Sequence, residues 1–247
     1  MSEPLTSCLS SNAALRVRTQ PFAPHAPVPR YLAETYWWAY LHPRAVRFFE
    51  RQWLVNAILW GNYRRLQDVA LAEIAPAIHK RVLQVACVYG DLTERLSSRL
   101  GRAASLDVVD VAPVQLENLR RKLGATRRVA MRQEDSANLT CANGSYDCVL
   151  VFFLLHEQPD TVRMRTIREV FRAVKPGGKV VFVDYHRPRR SNPFRYVMAS
   201  IFKALEPYAM DLWQRELQAW FPADVAVRSV EKQTYFGDLY QKVVINV

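Results

Sequence analysis

Apolar positions change their rhythm along the chain. The first 30 residues show little periodicity and carry five prolines, Pro4, Pro21, Pro24, Pro27 and Pro29. Such a stretch cannot bury enough surface to offset the entropy of ordering it, so 1–30 reads as a mobile, disordered tail. From Thr35 to about Leu71, aromatic and aliphatic residues recur at helical spacing, among them Trp37, Trp38, Tyr40, Phe48, Phe49, Trp53, Ile58, Leu59 and Trp60. Arg44, Arg47, Arg51, Arg64 and Arg65 are interleaved with them, and the pattern predicts two helices broken near Pro43. After Pro76, short apolar runs alternate with polar, helix-favouring stretches. Strands are expected at 81–86, 105–110, 128–132, 146–152 and 179–184, with two more toward the C-terminus. Helices are expected at about 91–100, 113–123 and 160–174, the last closed by the chain breakers Lys175-Pro176-Gly177-Gly178.

This βαβ rhythm predicts an α/β fold, a Rossmann-like and mostly parallel seven-stranded sheet with helices on both faces. A chain of 247 residues has enough sequence for one such core with extensions, and hardly enough for two. The expected division is the tail at 1–30, an aromatic helical extension at 31–72 and the sheet domain at 73–247.

Charge narrows the partners without choosing one. The 34 basic against 23 acidic residues give a net +11, which favours phospholipid headgroups, nucleic acid or an anionic ligand. Cys8, Cys87, Cys141 and Cys148 form no C-x-x-C pair and no apolar leader opens the chain, so a reduced cytoplasmic setting is expected. The longest apolar run, Cys148 to Leu155, is far shorter than the roughly 20 residues that cross a bilayer. The chain is expected to touch a membrane rather than span one.

Ligands of open α/β sheets sit beyond the carboxyl ends of the strands, so the residues after each apolar run carry the candidate chemistry. The first run leads through Gln84, Ala86, Cys87, Val88, Tyr89 and Gly90 into a helix, and the second ends at Asp110-Val111. Asp110 stands 20 residues after Gly90, where an acid accepts the vicinal hydroxyls of a ribose. The third run ends in Gln133-Glu134-Asp135-Ser136, an acid and hydroxyl suited to an adenine amino group. The fourth ends in Phe153-Leu154-Leu155-His156-Glu157.

The order of these segments, with Pro176-Gly177-Gly178 ahead of the fifth strand, resembles the class I S-adenosylmethionine-dependent methyltransferases over about 73–247. It departs from them in the turn. Where that family reads acid-x-Gly-x-Gly-x-Gly, this chain has Gln84, Ala86, Val88 and Gly90, and a Cβ at Val88 blocks the closest backbone approach to a ligand. That departure, with Thr35-Tyr36-Trp37-Trp38-Ala39-Tyr40-Leu41, Val183-Asp184-Tyr185-His186-Arg187-Pro188 and Thr234-Tyr235-Phe236-Gly237, is similar to the rhodoquinone-biosynthesis methyltransferase-like proteins. The resemblance implies conversion of ubiquinone to rhodoquinone, a ring methoxy replaced by an amino group. It also implies S-adenosylmethionine as nitrogen donor and a divalent metal, preferably Mn2+.

Addition-elimination on a quinone needs an uncharged amine and a stabilised oxyanion. Gln84 removes the acid that would hold the donor nitrogen as ammonium, and Val88 redirects the amino-acid moiety; Tyr89 and Tyr185 are candidate proton donors or stacking partners. Ala86, Cys87, Gly90, Asp110, Val111, Asp135 and Ser136 are the expected cofactor contacts. His156, Glu157, Asp184 and His186 follow adjacent strands and are the candidate metal ligands, since manganese takes carboxylate oxygen with some imidazole. Each also has a plain structural explanation, as a cap, a core hydrogen bond or a solvated side chain. The aromatic stripe and the cluster Arg187, Arg189, Arg190 and Arg195 predict peripheral contact with an anionic membrane, the inner membrane of a bacterium or its mitochondrial counterpart. Competing readings are a conventional quinone or polyphenol methyltransferase and a non-catalytic binding subunit of the same fold. The absence of an RNA-binding signature argues against a nucleic-acid partner, and oligomeric state is not legible.

Overall fold

The computed structural model describes residues 27–74, 80–124 and 129–247, so the tail expected at 1–30 lies outside the described residues except for 27–30. Seven strands form one sheet: β1 (Arg81–Val85), β2 (Ser105–Asp110), β3 (Val129–Gln133), β4 (Tyr146–Phe152), β5 (Val174–Tyr185), β6 (Ser229–Tyr235) and β7 (Tyr240–Asn246). Their order is β3-β2-β1-β4-β5-β7-β6, with β1 to β5 parallel and β7 antiparallel to both β5 and β6. Parallel strands covered on both faces must be apolar throughout, which is why β1 and β4 read as nearly unbroken apolar runs. Successive residues enter opposite cores. Val82, Leu150, Val181 and Val183 face one, and Leu83, Val149, Val180 and Phe182 the other. Each fully buried Val, Leu or Phe contributes roughly 1.5–3 kcal/mol of transfer energy, so the sheet's two faces are the main source of stability.

Nine α-helices cover this sheet or extend from it among the described residues: α1 (Arg30–Thr35), α2 (Pro43–Phe49), α3 (Gln52–Ile58), α4 (Tyr63–Ile74), α5 (Leu92–Arg99), α6 (Pro113–Leu123), α7 (Asp160–Ala173), α8 (Phe194–Leu205) and α9 (Asp211–Gln214). α6 shows how local sequence sets an element. Pro113 opens it at the position where a missing N–H costs nothing, and Arg120, Arg121 and Lys122 sit in its last turn, where cations meet the negative end of the helix dipole. Leu116, Leu119 and Leu123 face inward at helical spacing. α7 packs Ile167, Val170 and Phe171 on the opposite face of the sheet.

Two expectations need correction. The extension is not two helices but α1 to α4, with a wide π-type turn at Trp37–Leu41; Pro43 opens α2 instead of ending a helix. Its last helix, α4, runs past the boundary drawn at residue 72, and Leu66, Ala70, Leu71 and Ile74 join the core beneath β5 and β7. The second correction concerns Lys175–Gly178, which does not form a turn after α7. α7 gives way directly to β5 at Val174, and these four residues lie in β5 beside a register shift between Tyr146 and Cys148. Gly178 is confined there by contact: a Cβ on it would stand 2.7 Å from Val174 Cγ2 and 2.8 Å from the Lys175 carbonyl oxygen.

Candidate active site

Strand order reverses between β1 and β4, and a cavity of about 610 Å³ opens over the carboxyl ends of these two neighbours. Both strand ends are strained. Ala86 has φ +71° and Phe153 has φ +50°, left-handed conformations that non-glycine residues adopt at a cost. Ala86 N–H donates to the Val109 carbonyl at 2.8 Å and Phe153 N–H to the Val183 carbonyl at 2.8 Å, so each is pinned across to the next strand. Ala86 occupies the first glycine position of the family's turn, and the strain falls there, not at Val88.

Cofactor residues expected on this turn divide into two groups. Ala86, Cys87, Val88 and Tyr89 line the cavity; Gln84 and Gly90 do not. Gln84 lies fully buried beneath the turn, donating from Nε2 to the Ala86 carbonyl at 3.0 Å and accepting from Thr93 Oγ1 at 3.0 Å. Its expected place beside the donor nitrogen is therefore corrected: it buttresses the turn from below. Gly90, at φ +81°, is required by packing, because a Cβ would fall 2.5 Å from the Tyr63 hydroxyl, which donates to the Tyr89 carbonyl. Tyr89 stacks on Tyr40 with centroids 5.6 Å apart. Its hydroxyl donates to the Ala39 carbonyl at 2.5 Å and accepts from Gln115 at 2.9 Å, so its proton is already committed.

Asp110, Val111, Asp135 and Ser136 all line the same cavity. Asp110 accepts the Cys87 N–H at 2.7 Å and the Ala112 N–H at 2.8 Å, tying the turn to the end of β2. Burial pushes this carboxyl up to about 6, against the pull of those hydrogen bonds. Asp135 accepts the Ala137 N–H at 2.8 Å, and the Ser136 hydroxyl meets Thr166 Oγ1 at 2.9 Å and Gln158 Nε2 at 3.0 Å. Acids at the ends of β2 and β3 above an open floor are what a ribose and an adenine require. These residues fit an S-adenosylmethionine nucleoside.

The four candidate metal ligands do not converge. His156 Nδ1 meets Asp184 Oδ1 at 2.9 Å, and Asp184 also accepts the N–H groups of Leu155 at 2.9 Å and Tyr185 at 2.7 Å. That carboxylate is saturated by its own loop and imidazole. Glu157 lies 3.7 Å from His156 Nε2 and accepts a short hydrogen bond from the Tyr40 hydroxyl. His186 stands in a different hollow of about 310 Å³ lined by Arg187, Arg189, Arg190 and Arg195. Its Nδ1 meets the Asp238 carbonyl at 2.8 Å and its Nε2 meets Lys232 Nζ at 2.8 Å, an ammonium neighbour that no cation would share. No group of three or more His, Cys, Asp or Glu suited to a metal occurs among the described residues. The set His156, Glu157, Asp184 and His186 thus does not fit Mn2+.

What these side chains form instead is a buried acid-base assembly. The nearby carboxylates raise His156 to about 9 despite its burial, and burial raises Glu157 to about 8. Tyr185 closes the wall against His156 at 4.9 Å and Phe202 at 4.8 Å, its hydroxyl held well above the usual range by burial. Tyr235, from the Thr234-Tyr235-Phe236-Gly237 segment, stacks under Arg65 away from the cavity. Several lining residues escaped sequence reading: Tyr31 and Tyr40 from the extension, and Met198, Ile201 and Glu206 from α8 and its end. Glu206 had one signal, an acid following the apolar face of a helix. Arg163 had none, yet it is fully buried and donates to the carbonyls of Leu155, Gln158 and Tyr208, fixing the His156 loop to the segment after α8.

Residues 82–178 match a family model described as a methyltransferase domain. The chain is 28% identical over 131 residues to the ubiquinone/menaquinone biosynthesis C-methyltransferase of Coxiella burnetii, covering 52% of each. It is 29% identical over 142 residues to the enzyme of that name from Pseudomonas paraeruginosa, covering 56% of this chain and 55% of that one. The chain thus spans about half the length of these relatives. Among solved structures, a SAM-dependent methyltransferase from Aquifex aeolicus superposes with TM-score 0.53 at 16% identity, over 83% of this chain and 98% of that one. The N-methyltransferase NodS from Bradyrhizobium japonicum, in complex with S-adenosyl-L-homocysteine, gives 0.54 at 13% identity over 82% and 96%. The strand order agrees with that of these structures, and the chain has a Rossmann-like methyltransferase fold, within which residues 82–178 match the methyltransferase-domain model.

Proposed function

We propose that this protein replaces a ring methoxy of ubiquinone by an amino group, giving rhodoquinone, with S-adenosylmethionine as nitrogen donor. One observation carries the reading: a single cavity joins the nucleoside-side residues Asp110 and Asp135 to an apolar arm between α3 and α8. Val55, Leu59, Met198 and Ile201 line that arm, and Ile58 and Leu205 line it while also standing exposed at the surface. A donor at the polar end and a prenylated ring at the apolar end would meet between the strained ends of β1 and β4.

The acceptor would arrive from a lipid surface. Trp53, Tyr196, Val197 and Leu205 are exposed on α3 and α8, and Arg51, Arg195 and Lys203 stand among them. Apolar side chains flanked by cations suit an anionic interface. No described helix is long and apolar enough to cross a membrane.

In the exchange, the ring carbon gains the donor nitrogen and loses methoxide, which leaves as methanol with the proton shed by nitrogen. Release of the aminated ring then requires the donor's carbon–nitrogen bond to break by elimination, the neighbouring carbon's proton passing to nitrogen. The walls supplied by Phe153, Tyr185 and Val88 would exclude water and keep the ring planar against the donor. Similarity to quinone-biosynthesis C-methyltransferases supports a second reading, carbon methylation of a quinone ring. Product mass separates the two. Incubation of the full chain with ubiquinone and donor labelled with 15N on its amino group should yield a labelled, lighter quinone; a product heavier by one methyl would establish the second reading.

A further inference from the structure

The cavity contradicts the charge of the chain around it. The protein carries a net +11, yet among the described residues no Lys or Arg lines the cavity, while Asp110, Glu134, Asp135, Glu157 and Glu206 all do. Three of these are occupied by the fold: Asp110 and Asp135 by backbone N–H groups, and Glu134 by Thr140 and Arg132. His156 and Asp184 neutralise one another. Glu157 is held by the Tyr40 hydroxyl on one oxygen and lies 3.7 Å from His156 Nε2, and Glu206 lies near enough to the same imidazole to interact with it. Glu206 Oε2 is buried without a close hydrogen bond among the described residues, and the Tyr36 hydroxyl facing it, also without one, is a neighbour that draws its carboxyl down.

Around these two carboxylates the extension builds a wall of tyrosines. Tyr31 and Tyr40 line the cavity; Tyr36 packs on Tyr40 at 6.1 Å, and Tyr208 packs on Tyr31 and Tyr36 at 6.5 Å each. Aromatic faces beside two acids, one of them with a buried unpartnered oxygen, together select an organic cation. A metal ion fits less well, because the described residues hold no ligand group of adequate number.

We propose that Glu157 and Glu206, walled by Tyr31, Tyr36 and Tyr40, form a cation box that receives the α-ammonium of the donor's amino-acid moiety. In the family pattern an acid at the start of the turn stands near that group; here Gln84 is buried under the turn, and the box supplies negative charge from two other acids of the same cavity. The ammonium has to lose one proton before it can attack, and a carboxylate of the box can take it, the N–H bond breaking as a carboxyl O–H forms; the second proton, shed after attack, is the one that leaves with methoxide. Groups facing Glu157 from neighbouring elements are His156, Asp184, Glu206, Tyr31, Tyr36, Tyr40, Tyr89 and Tyr185. The assignment rests on the donor reading above but not on which group is transferred.

Its test is calorimetric titration of the full chain with two probes, S-adenosylhomocysteine and 5′-methylthioadenosine, which share the nucleoside thioether and differ in the amino-acid moiety. Glu206→Gln should weaken the first about tenfold or more and leave the second unchanged. Tyr36→Phe should leave both near parental values, since its ring is kept. Equal weakening of both probes would make Glu206 a structural residue, and unchanged binding of both would remove the box; either overturns the proposal. Glu157→Gln repeats the test on the second carboxylate. Mn2+ alone is titrated in parallel: metal binding abolished by Glu206→Gln, with the probe ratio intact, would overturn the ammonium assignment. A methylated quinone product would refute the amination reading and leave this binding result standing.

Discussion

Arg163→Met isolates the contribution of one buried guanidinium to the site's geometry. Arg163 is fully buried, donates to three main-chain carbonyls at 2.8–2.9 Å, pairs with Asp211 at 3.1 Å and lies over the Trp220 ring at 4.9 Å. Met fills similar volume without a donor. Each carbonyl left without its partner costs about 1–3 kcal/mol, while Asp211, more than a third exposed, is resolvated and adds little. Relief of the guanidinium's own desolvation offsets part of this, leaving a net loss of roughly 3–5 kcal/mol, the scale of breaking a buried charge pair. At about 2–4 °C per kcal/mol for a chain of this size, the melting temperature should fall by roughly 10 °C. Arg163→Lys restores a charge but not the fork that reaches several carbonyls, and should fall between. Thermal unfolding followed by circular dichroism reads all three proteins. A Met variant melting within about 2 °C of the parent would refute the reasoning.

Other expectations follow from the strand ends and the surface. Asp110, raised to about 6, must be ionised to accept ribose hydroxyls; a raised carboxyl loses its charge as pH falls through that value. Affinity for 5′-methylthioadenosine should therefore weaken below pH 6, approaching about tenfold per unit, and Asp110→Asn should bind weakly with a flat profile. A parental profile flat from pH 5 to 8 would count against it. Ala86→Gly should raise stability by up to about 1 kcal/mol by releasing the φ +71° conformation; a loss of stability in denaturant titration would show that the methyl group's contacts outweigh the strain. Vesicles with anionic lipid should bind the protein more than neutral ones, and the double variant Trp53→Ala/Tyr196→Ala should reduce that binding. Unchanged partition would detach α3 and α8 from the membrane reading.

The sheet was legible because parallel strands advertise themselves: β1, β2 and β4 were bounded to within a residue by their apolar runs and the helix formers between them. That Asp110, Asp135 and Ser136 line the cavity was legible for a related reason, since ligands of this fold sit beyond the strand ends. Gln84 was misplaced because alternation decides which way a strand residue points, and position 84 points into the layer beneath the turn. Gly90 carried no ligand information because its constraint comes from Tyr63, 27 positions earlier. His186 was separated from His156 by the continuation of β5 against β7, which carries it out to Lys232 and Glu216. Tyr31, Tyr36 and Glu206 share no local pattern with the turn they face. Only the return of α1 and of the end of α8 over the sheet brings them together.

That separation in the chain has a bearing on how relatedness translates into chemistry. The segment that matches the methyltransferase model, residues 82–178, supplies Asp110, Asp135 and Ser136, whereas Tyr31, Tyr40, Met198, Ile201 and Glu206 come from either side of it. On the proposed reading, nucleoside recognition and acceptor recognition sit on stretches of sequence that can diverge independently. Two proteins could share the whole matched segment and still transfer different groups to different rings. The informative comparison between such relatives is in the extension and in the passage around α8, where Glu206 at the end of a helix adds an acid with an unpartnered oxygen to the cavity.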